Sequence, residues 1–426
     1  MPPDRRDETL VLPSPPGYLC PMPTLPPIVA LEIGTTFTRA LVGEAREDGG
    51  LVVTGVGEER SSGVRKGLIV SMDGAAESVK RALERAEEHS GVDIARVHLA
   101  ASGGHIRAQV NRGIVQVLNG EREITREEMR DVATAARNIS LPPERVILHS
   151  IAQHYAVDDQ EGVVNPEGME GSRLELNMLI VHAEGALLRN TMRTAQSVGV
   201  EVADVAFGGL CAALGALTPQ QKAGGVLVLN LGGGTTEYLV YANQTVASAG
   251  VIAVGGDHVT NDVAIGLRIP LAQAEQLKID HGAAEPDPTR RRQMVSLPAE
   301  SGFSGQTVCL DDLHLIMHAR LRELLRIVKK ELERQGVIIR LGAGIVLTGG
   351  GALTRRLPEL ASREFNLPCV LGRPRGVSGL AVAGGPEYAT LVGLLRYAQI
   401  CGARSSRTGF GGWIWRLLRG QGGQTG

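Results

Sequence analysis

The stretch from Val226 to Glu237, V-L-V-L-N-L-G-G-G-T-T-E, is a short run of branched apolar residues that ends in three glycines and two threonines. It is too short to span a membrane and reads as a buried strand feeding a tight turn. Glycines lack Cβ atoms, so their N–H groups can approach an anion closely, and Thr235 and Thr236 add hydroxyl donors. The natural guest of such a turn is a polyphosphate. Taken alone, the tripeptide reads equally well as a glycine-rich hairpin.

An echo elsewhere decides between the two. Leu31-Glu32-Ile33-Gly34-Thr35-Thr36 repeats Leu229-Asn230-Leu231-Gly232 through Thr235-Thr236, with one polar residue two positions before the first glycine in both. Each turn is followed by another strand-like run, Arg39 to Val42 and Tyr238 to Tyr241. A third strand enters glycines at Gly344-Ile345-Val346-Leu347-Thr348-Gly349-Gly350-Gly351, with a helix expected over 353–365. Two β-turn-β units about 200 residues apart imply a duplicated fold whose halves face each other across a phosphate.

Composition narrows the field. Lys and Arg total 44 against 46 acidic residues, and aromatics make up 3%, so no electrostatic footprint for nucleic acid exists. The five cysteines form no C-x-x-C pair, which argues against a zinc site or disulfide framework and for a reducing compartment. No apolar run reaches the ~18 residues of a membrane span, and no basic start precedes an apolar signal core.

The 426 residues are enough for about three domains. Residues 1–27 hold nine prolines and read as a disordered tail. From Ile28 an antiparallel or mixed sheet opens. A helix carrying Val79, Ala82, Leu83 and Ala86 follows, capped by Asp73 and stopped by Gly91, and then a strand that ends in Ser102-Gly103-Gly104. A differently patterned α+β segment runs from His105 to about Ala183, with strands at 113–117, 145–150 and 174–182. Its helix has Thr125 and Glu128 as a capping box. A small-residue helix over 210–217 leads back to the opening stretch. Later come a helix over 271–279 with Glu275 and Lys278 one turn apart, a mobile Pro- and Arg-rich loop over 286–298, and a long helix started by Asp311 and Asp312. That helix buries Leu313, Met317, Leu321, Leu324 and Val328 on one face and is closed by Gly336.

At this point the residues resemble the actin, Hsp70 and sugar-kinase superfamily, and within it most closely FtsA, the bacterial cell-division actin homologue. The likeness covers nearly everything from Ile28 to Tyr397. Its specific segments are H-S-I-A-Q-H-Y-A-V-D-D-Q-E-G at 149–162, N-P-E-G-M-E-G-S-R-L at 165–174, G-G-D-H-V-T-N-D-V-A at 255–264, A-G-I-V-L-T-G-G-G at 343–351 and Y-A-T-L-V-G-L-L at 388–395. The resemblance implies an α/β, actin-like (ribonuclease H-like) two-lobe ATPase fold. Subdomain 1A spans 28–104 and 185–221, the inserted α+β subdomain 1C 105–184, subdomain 2A 222–254 and 341–384, subdomain 2B 255–340, and a return helix 385–401.

It also implies a nucleotide-binding protein that polymerises at the cytoplasmic face of the membrane, tethers FtsZ filaments there and helps build the septum, with other division proteins meeting subdomain 1C. Gly34, Thr35, Thr36 and Gly232, Gly233, Gly234, Thr235 and Thr236 would hold the phosphates of ATP. Gly349, Gly350 and Gly351 would border the adenosine, and Glu275 with Lys278 the ribose and base. The C-terminal peptide of FtsZ would meet Arg320 and Glu323 on the long helix. FtsA proteins end in a linker, here 402–409, and an amphipathic membrane-targeting helix, here 410–420. In it Phe410, Trp413, Ile414 and Leu417 share one face beside Trp415 and Leu418, with nearby arginines for anionic lipids. Each such side chain is worth about 1.5–3 kcal/mol when fully buried, against about 1–2 kcal/mol per ordered residue, so a single tail should bind weakly and a row of tails well.

The chain departs from the pattern where it matters for hydrolysis. Relatives mostly carry Asp at the position of Asn230 and commonly Lys at that of Phe37, and many have Glu at that of Gly208. Mg²⁺ prefers carboxylate oxygen, so Glu32, Asn230 and Glu237 could hold it only weakly, through water. The expectation is ATP binding with slow or negligible turnover. Two other readings stand beside this one: a PilM-like pilus-assembly protein and a sugar-kinase-like phosphotransferase.

Overall fold

The same strand order is built twice. The computed structural model describes residues 26–46, 50–120, 122–286, 292–299 and 304–405. The first lobe opens with β1 (Ile28–Ile33), β2 (Phe37–Ala45) and β3 (Leu51–Arg60). The short hairpin β4 (Val64–Arg65) and β5 (Leu68–Ile69) follows, then α1 (Met72–Ser90) and β6 (Arg96–Ala101). An insert comes next: β7 (Arg107–Gln116), α2 (Arg126–Arg137), β8 (Arg145–Val157), β9 (Gln160–Val163) and β10 (Arg173–Glu184). The first lobe resumes with α3 (Gly185–Gln196), β11 (Glu201–Phe207), α4 (Gly208–Ala216) and α5 (Pro219–Gly224).

The second lobe has β12 (Val226–Leu231), β13 (Thr236–Ala242), β14 (Thr245–Ile252), α6 (Gly256–Leu267), α7 (Leu271–His281), β15 (Met294–Leu297), β16 (Gln306–Cys309) and α8 (Leu310–Arg334). It ends with β17 (Ile345–Thr348), α9 (Leu357–Phe365) and β18 (Cys369–Leu371). The chain then adds β19 (Val377–Gly379) to the first sheet and finishes in α10 (Ala389–Ser405).

In the first sheet the order is β11-β6-β1-β2-β3-β19, and in the second it is β14-β13-β12-β17-β18. Each has three antiparallel strands in sequence, then two parallel ones beyond the first strand. Strand β12 is buried along its whole length, which is why it reads as a continuous apolar run rather than an alternating one.

Local signals explain the helices. Thr125 and Glu128 form the expected capping box, and Gly91 closes α1 in the left-handed region. The cap of α1 is Ser71, whose hydroxyl accepts from the Gly74 amide; Asp73 lies inside the first turn, where a carboxylate favours the helix dipole instead. The expected stripe Leu313, Met317, Leu321, Leu324 and Val328 is buried on α8.

Several boundaries differ from expectation, among them the strand expected over 145–150, which runs on to Val157. The insert's first strand starts at Arg107, because β10 pairs with it continuously from Gln116 back to Arg107. Beyond Gly349 a 3₁₀ turn, Gly350–Leu353, comes first and α9 begins only at Leu357. Within the loop expected over 286–298, Met294–Leu297 pair with Gln306–Cys309 as strands; residues 287–291 lie outside the described residues. So do residues 1–25 of the proline-rich start and 406–426, which include the expected amphipathic helix. No helix among the described residues is long and apolar enough to cross a membrane.

The insert, a sheet of order β7-β10-β8-β9 with α2 against it, is attached to both lobes. Gln153 of β8 donates from Nε2 to the carbonyl oxygens of Val246 (2.8 Å) and Ala247 (3.2 Å) on β14. His149, on the same strand, accepts at Nε2 from the Phe207 amide at 2.8 Å and packs edge-on against Tyr397. Burial pushes its pKa down to about 4, although Asp204 pulls the other way. The unfolded chain therefore takes up this proton below its ordinary value of 6.5, while the folded protein takes it up only near 4. The neutral ring's contribution is complete above about pH 6.5 and is lost as pH falls toward 4, roughly 3 kcal/mol in all. Between pH 7 and 5, urea unfolding should show the wild type losing about 2 kcal/mol more than His149→Gln, which keeps an acceptor and cannot charge. Equal losses would show that the ring is not held neutral.

Candidate functional site

Both glycine turns are closed by the same hydrogen bond, Gly34 N–H to Phe37 O (3.1 Å) in one and Gly232 N–H to Thr235 O (2.9 Å) in the other. The last strand pairs before them are Ile33 with Thr38 and Leu231 with Thr236. This register corrects the sequence echo: Thr35 and Thr36 correspond to Gly233 and Gly234, and Thr38 to Thr236. Thr38 and Thr236 are fully buried, and the Thr236 hydroxyl donates to the Val254 carbonyl at 2.8 Å. Thr236 is thus a strand residue whose side chain faces away from the cleft. The other expected phosphate and adenosine residues, Gly34, Thr35, Thr36, Gly232 to Thr235, Glu275, Lys278 and Gly349 to Gly351, all line one cavity of about 380 Å³ between the lobes. That volume is in the range of small-molecule and cofactor sites.

The turns touch each other. A Cβ on Gly233 would stand 2.0 Å from Thr36 Oγ1, and one on Gly234 2.4 Å from Thr35 Oγ1, so only glycine permits this approach. Ser102 at the end of β6 meets Thr235 across the cleft, hydroxyl to hydroxyl at 3.1 Å, and the Gly67 amide donates to Thr35 Oγ1 at 3.0 Å. The first amides of α6 are spent on bracing the second turn, Gly256 N–H to Gly232 O (3.0 Å) and Asp257 N–H to Gly233 O (2.8 Å). Burial raises the pKa of Asp257 while Lys278 opposes the shift.

Under each turn lies one cross-strand pair. Glu32 stands opposite Arg39, and Asn230 opposite Glu237. Asn230 donates from Nδ2 to Glu237 Oε2 (2.9 Å) and to Thr390 Oγ1 (3.1 Å). Glu237 Oε1 is buried without a hydrogen-bond partner, and burial pushes the carboxyl up to about 7 despite the Asn230 bond. Burial also raises Glu32, against the pull of Arg39. A Cβ on Gly208 would stand 2.7 Å from Glu237 Oε1, so the Glu237 carboxyl fills the space beside that glycine. The Asn230 amide nitrogen is turned to Glu237, and among the described residues no three His, Cys, Asp or Glu side chains are placed to hold an ion directly. The donor set does not fit a directly coordinated Mg²⁺.

The far end of the cavity suits a nucleoside. Lys278 Nζ bonds Glu275 Oε2 (2.6 Å) and Thr260 Oγ1 (2.7 Å), which fixes both expected side chains on one wall. A Cβ on Gly350 would meet nothing within 4 Å, and the exposed apolar side chains of Ile279 and Leu353 complete this end.

Arg320 and Glu323 lie outside the cleft on α8. Arg320 makes a two-point ion pair with Asp262 of α6 (2.6 and 3.1 Å) and also bonds Glu323, so it braces two helices. The outward surface beside it is a shallow depression formed by His318, Arg322, Glu323, Arg326, Ile327 and Lys330. Arg322 and Arg326 share Glu364, at 2.6 and 3.0 Å.

Sequence reasoning missed Arg39, Ser102, Asp257 and Thr390, all of which line the cavity. Two carried a usable signal, since Ser102 ends a strand before two glycines and Asp257 follows a glycine pair. Thr390 carried none, because it reaches the site from a helix remote in sequence.

Residues 227–393 match the family model described as cell division protein FtsA, and residues 103–182 match that of the SHS2 domain inserted in FTSA. The cell division protein FtsA of Pseudomonas aeruginosa is 35% identical over 371 residues, covering 87% of this chain and 88% of the relative. That of Escherichia coli K12 is 34% identical over 380 residues, covering 87% and 90%. Among solved structures, a PilM-PilN type IV pilus biogenesis complex matches with a TM-score of 0.59 at 15% identity, covering 86% of this chain and 97% of that one. MreB5 of Spiroplasma citri bound to ADP matches with a TM-score of 0.52 at 16% identity, covering 90% and 99%. The structural likenesses establish the actin-like ATPase fold, and the sequence relatives establish more: the chain belongs to the FtsA family of cell division proteins.

Proposed function

We propose that this protein binds ATP between its lobes, polymerises at the cytoplasmic face of the cell membrane at the division site, and tethers FtsZ filaments there as the septum assembles. The observation that carries the reading is the closed pair of glycine turns over one interlobe cavity, in a chain of this family. Threonine hydroxyls and open glycine backbone suit the phosphates, and the Glu275–Lys278 wall with Gly349 to Gly351 suits the nucleoside. Phosphoryl transfer needs the attacking water positioned and the developing charge neutralised. Asn230 is committed to Glu237 and Thr390, and among the described residues no three His, Cys, Asp or Glu side chains gather to hold a metal, so binding outlasts catalysis in this cleft. Purified protein should bind ATP and turn it over far more slowly than an actin-like ATPase with a carboxylate at that position; comparable turnover would overturn this reading.

The FtsZ C-terminal peptide fits the basic, partly apolar depression on α8 better than it fits Arg320 itself. Reversing two charges, Arg326→Glu with Lys330→Glu, should weaken FtsZ tail-peptide binding about tenfold or more in a polarisation assay. Unchanged affinity would move the contact elsewhere.

Membrane attachment rests on residues 410–420, with Phe410, Trp413, Ile414 and Leu417 facing the lipid and arginines meeting anionic headgroups. Self-association would multiply these weak anchors, and the insert offers other division proteins a separate surface. Liposome co-sedimentation should fall sharply when residues 409–426 are removed. If binding is unchanged, the tail is not the anchor, and a PilM-like dependence on a membrane partner becomes the better account.

A further inference from the structure

The two halves of the cleft are alike in backbone and unlike in charge. Position 39 is the register equivalent of position 237: Arg39 lies opposite Glu32 as Glu237 lies opposite Asn230, and both line the cavity. A cation therefore stands under the first turn where an acid stands under the second. It is two residues beyond Phe37 on the same strand, and alternate strand residues share a face, so the two side chains point the same way. The guanidinium carbon lies 4.9 Å from the centre of the Phe37 ring and 5.4 Å from that of Tyr388. Its Nε donates to Glu58 Oε2 at 2.5 Å, and Glu58 also accepts from the Tyr388 hydroxyl at 3.3 Å. Arg39 makes no other hydrogen bond to a described residue, so its two terminal amino groups remain as donors.

We propose that Arg39 is the side chain that meets the nucleotide's terminal phosphates in this cleft, supplying from two residues further along the strand the positive charge that Phe37 cannot. The inference rests on the nucleotide reading above. A guanidinium held by one nitrogen and stacked between two rings is pre-organised, and its remaining amino groups form the planar fork that matches phosphate oxygens. It also offsets Glu32, which otherwise stands under the same turn as an uncompensated acid. Because Tyr388 immediately precedes α10, the contact ties phosphate occupancy to the segment that joins the lobes.

The test is equilibrium binding of ATP, ADP and adenosine to the full chain, with thermal unfolding recorded for every variant. Arg39→Gln should lose about tenfold or more in affinity for ATP and ADP while adenosine affinity changes less than about twofold. Arg39→Lys, which keeps the charge and a partner for Glu58 but not the planar fork, should recover only part of the loss. Equal losses for ATP and adenosine, or ATP binding by Arg39→Gln as tight as wild type, would overturn the proposal. Failure of the wild type to bind ATP would overturn the nucleotide reading itself.

Discussion

Where the chain passes between lobes, two helices cross so closely that at two glycines each backbone meets a carbonyl oxygen of the other helix. Helix α4 leads out of the first lobe and α10 leads back into it. A Cβ on Gly215 would lie 2.0 Å from the Ala389 carbonyl oxygen, and one on Gly393 would lie 1.7 Å from that of Cys211. Every residue of α4 is buried, and Arg396 of α10 donates to the Leu214 carbonyl at 2.7 Å. Backbone against backbone leaves no rotamer to adjust, so the crossing sets where the two sheets can stand. The cleft depends on it directly, because Thr390, one residue into α10, reaches Asn230 on the floor.

From that fixed base the two sheets share a five-strand plan, to which the first adds β19, and differ mainly in chemistry. Their strand orders and turn geometries coincide, which is what a duplicated unit requires. The side chains beneath the turns do not coincide: one pair is acid and base, the other amide and acid. An actin-like fold can thus keep its grip on a ligand while its reacting groups change, since the turns are made of backbone and the floor is made of side chains.

Much of this was legible in the chain. Buried strands running into glycine, a capping box at Thr125 and a regular stripe on α8 are local patterns with local causes, and the fold class follows from their repetition. The positions that misled were those in which one residue's role depends on its partner across a strand. Thr236 looks like a phosphate donor until the pairing of Leu231 with Thr236 places it inside the strand. Arg320 looks like a free surface cation until Asp262, 58 residues away, is brought beside it. Register and long-range ion pairs are set by tertiary packing, and neither leaves a periodic trace in the sequence.

The tie between Gln153 and β14 gives the insert a mechanical character. Both ends of the insert are continuous with the first lobe, so any pull on it loads that lobe along covalent chain. The second lobe is loaded through side-chain contacts to β14: the Gln153 amide on two carbonyls, His154 Nε2 with the Thr245 hydroxyl at 3.3 Å, and apolar packing of Ile151, Leu179 and Val181 near Val246 and Ala249. A hydrogen bond of this kind is worth on the order of 1 kcal/mol net, far less than a four-stranded sheet. These contacts act as a fuse: under small forces they make insert and lobes move as one body, and under larger ones they part before the strands of either sheet do.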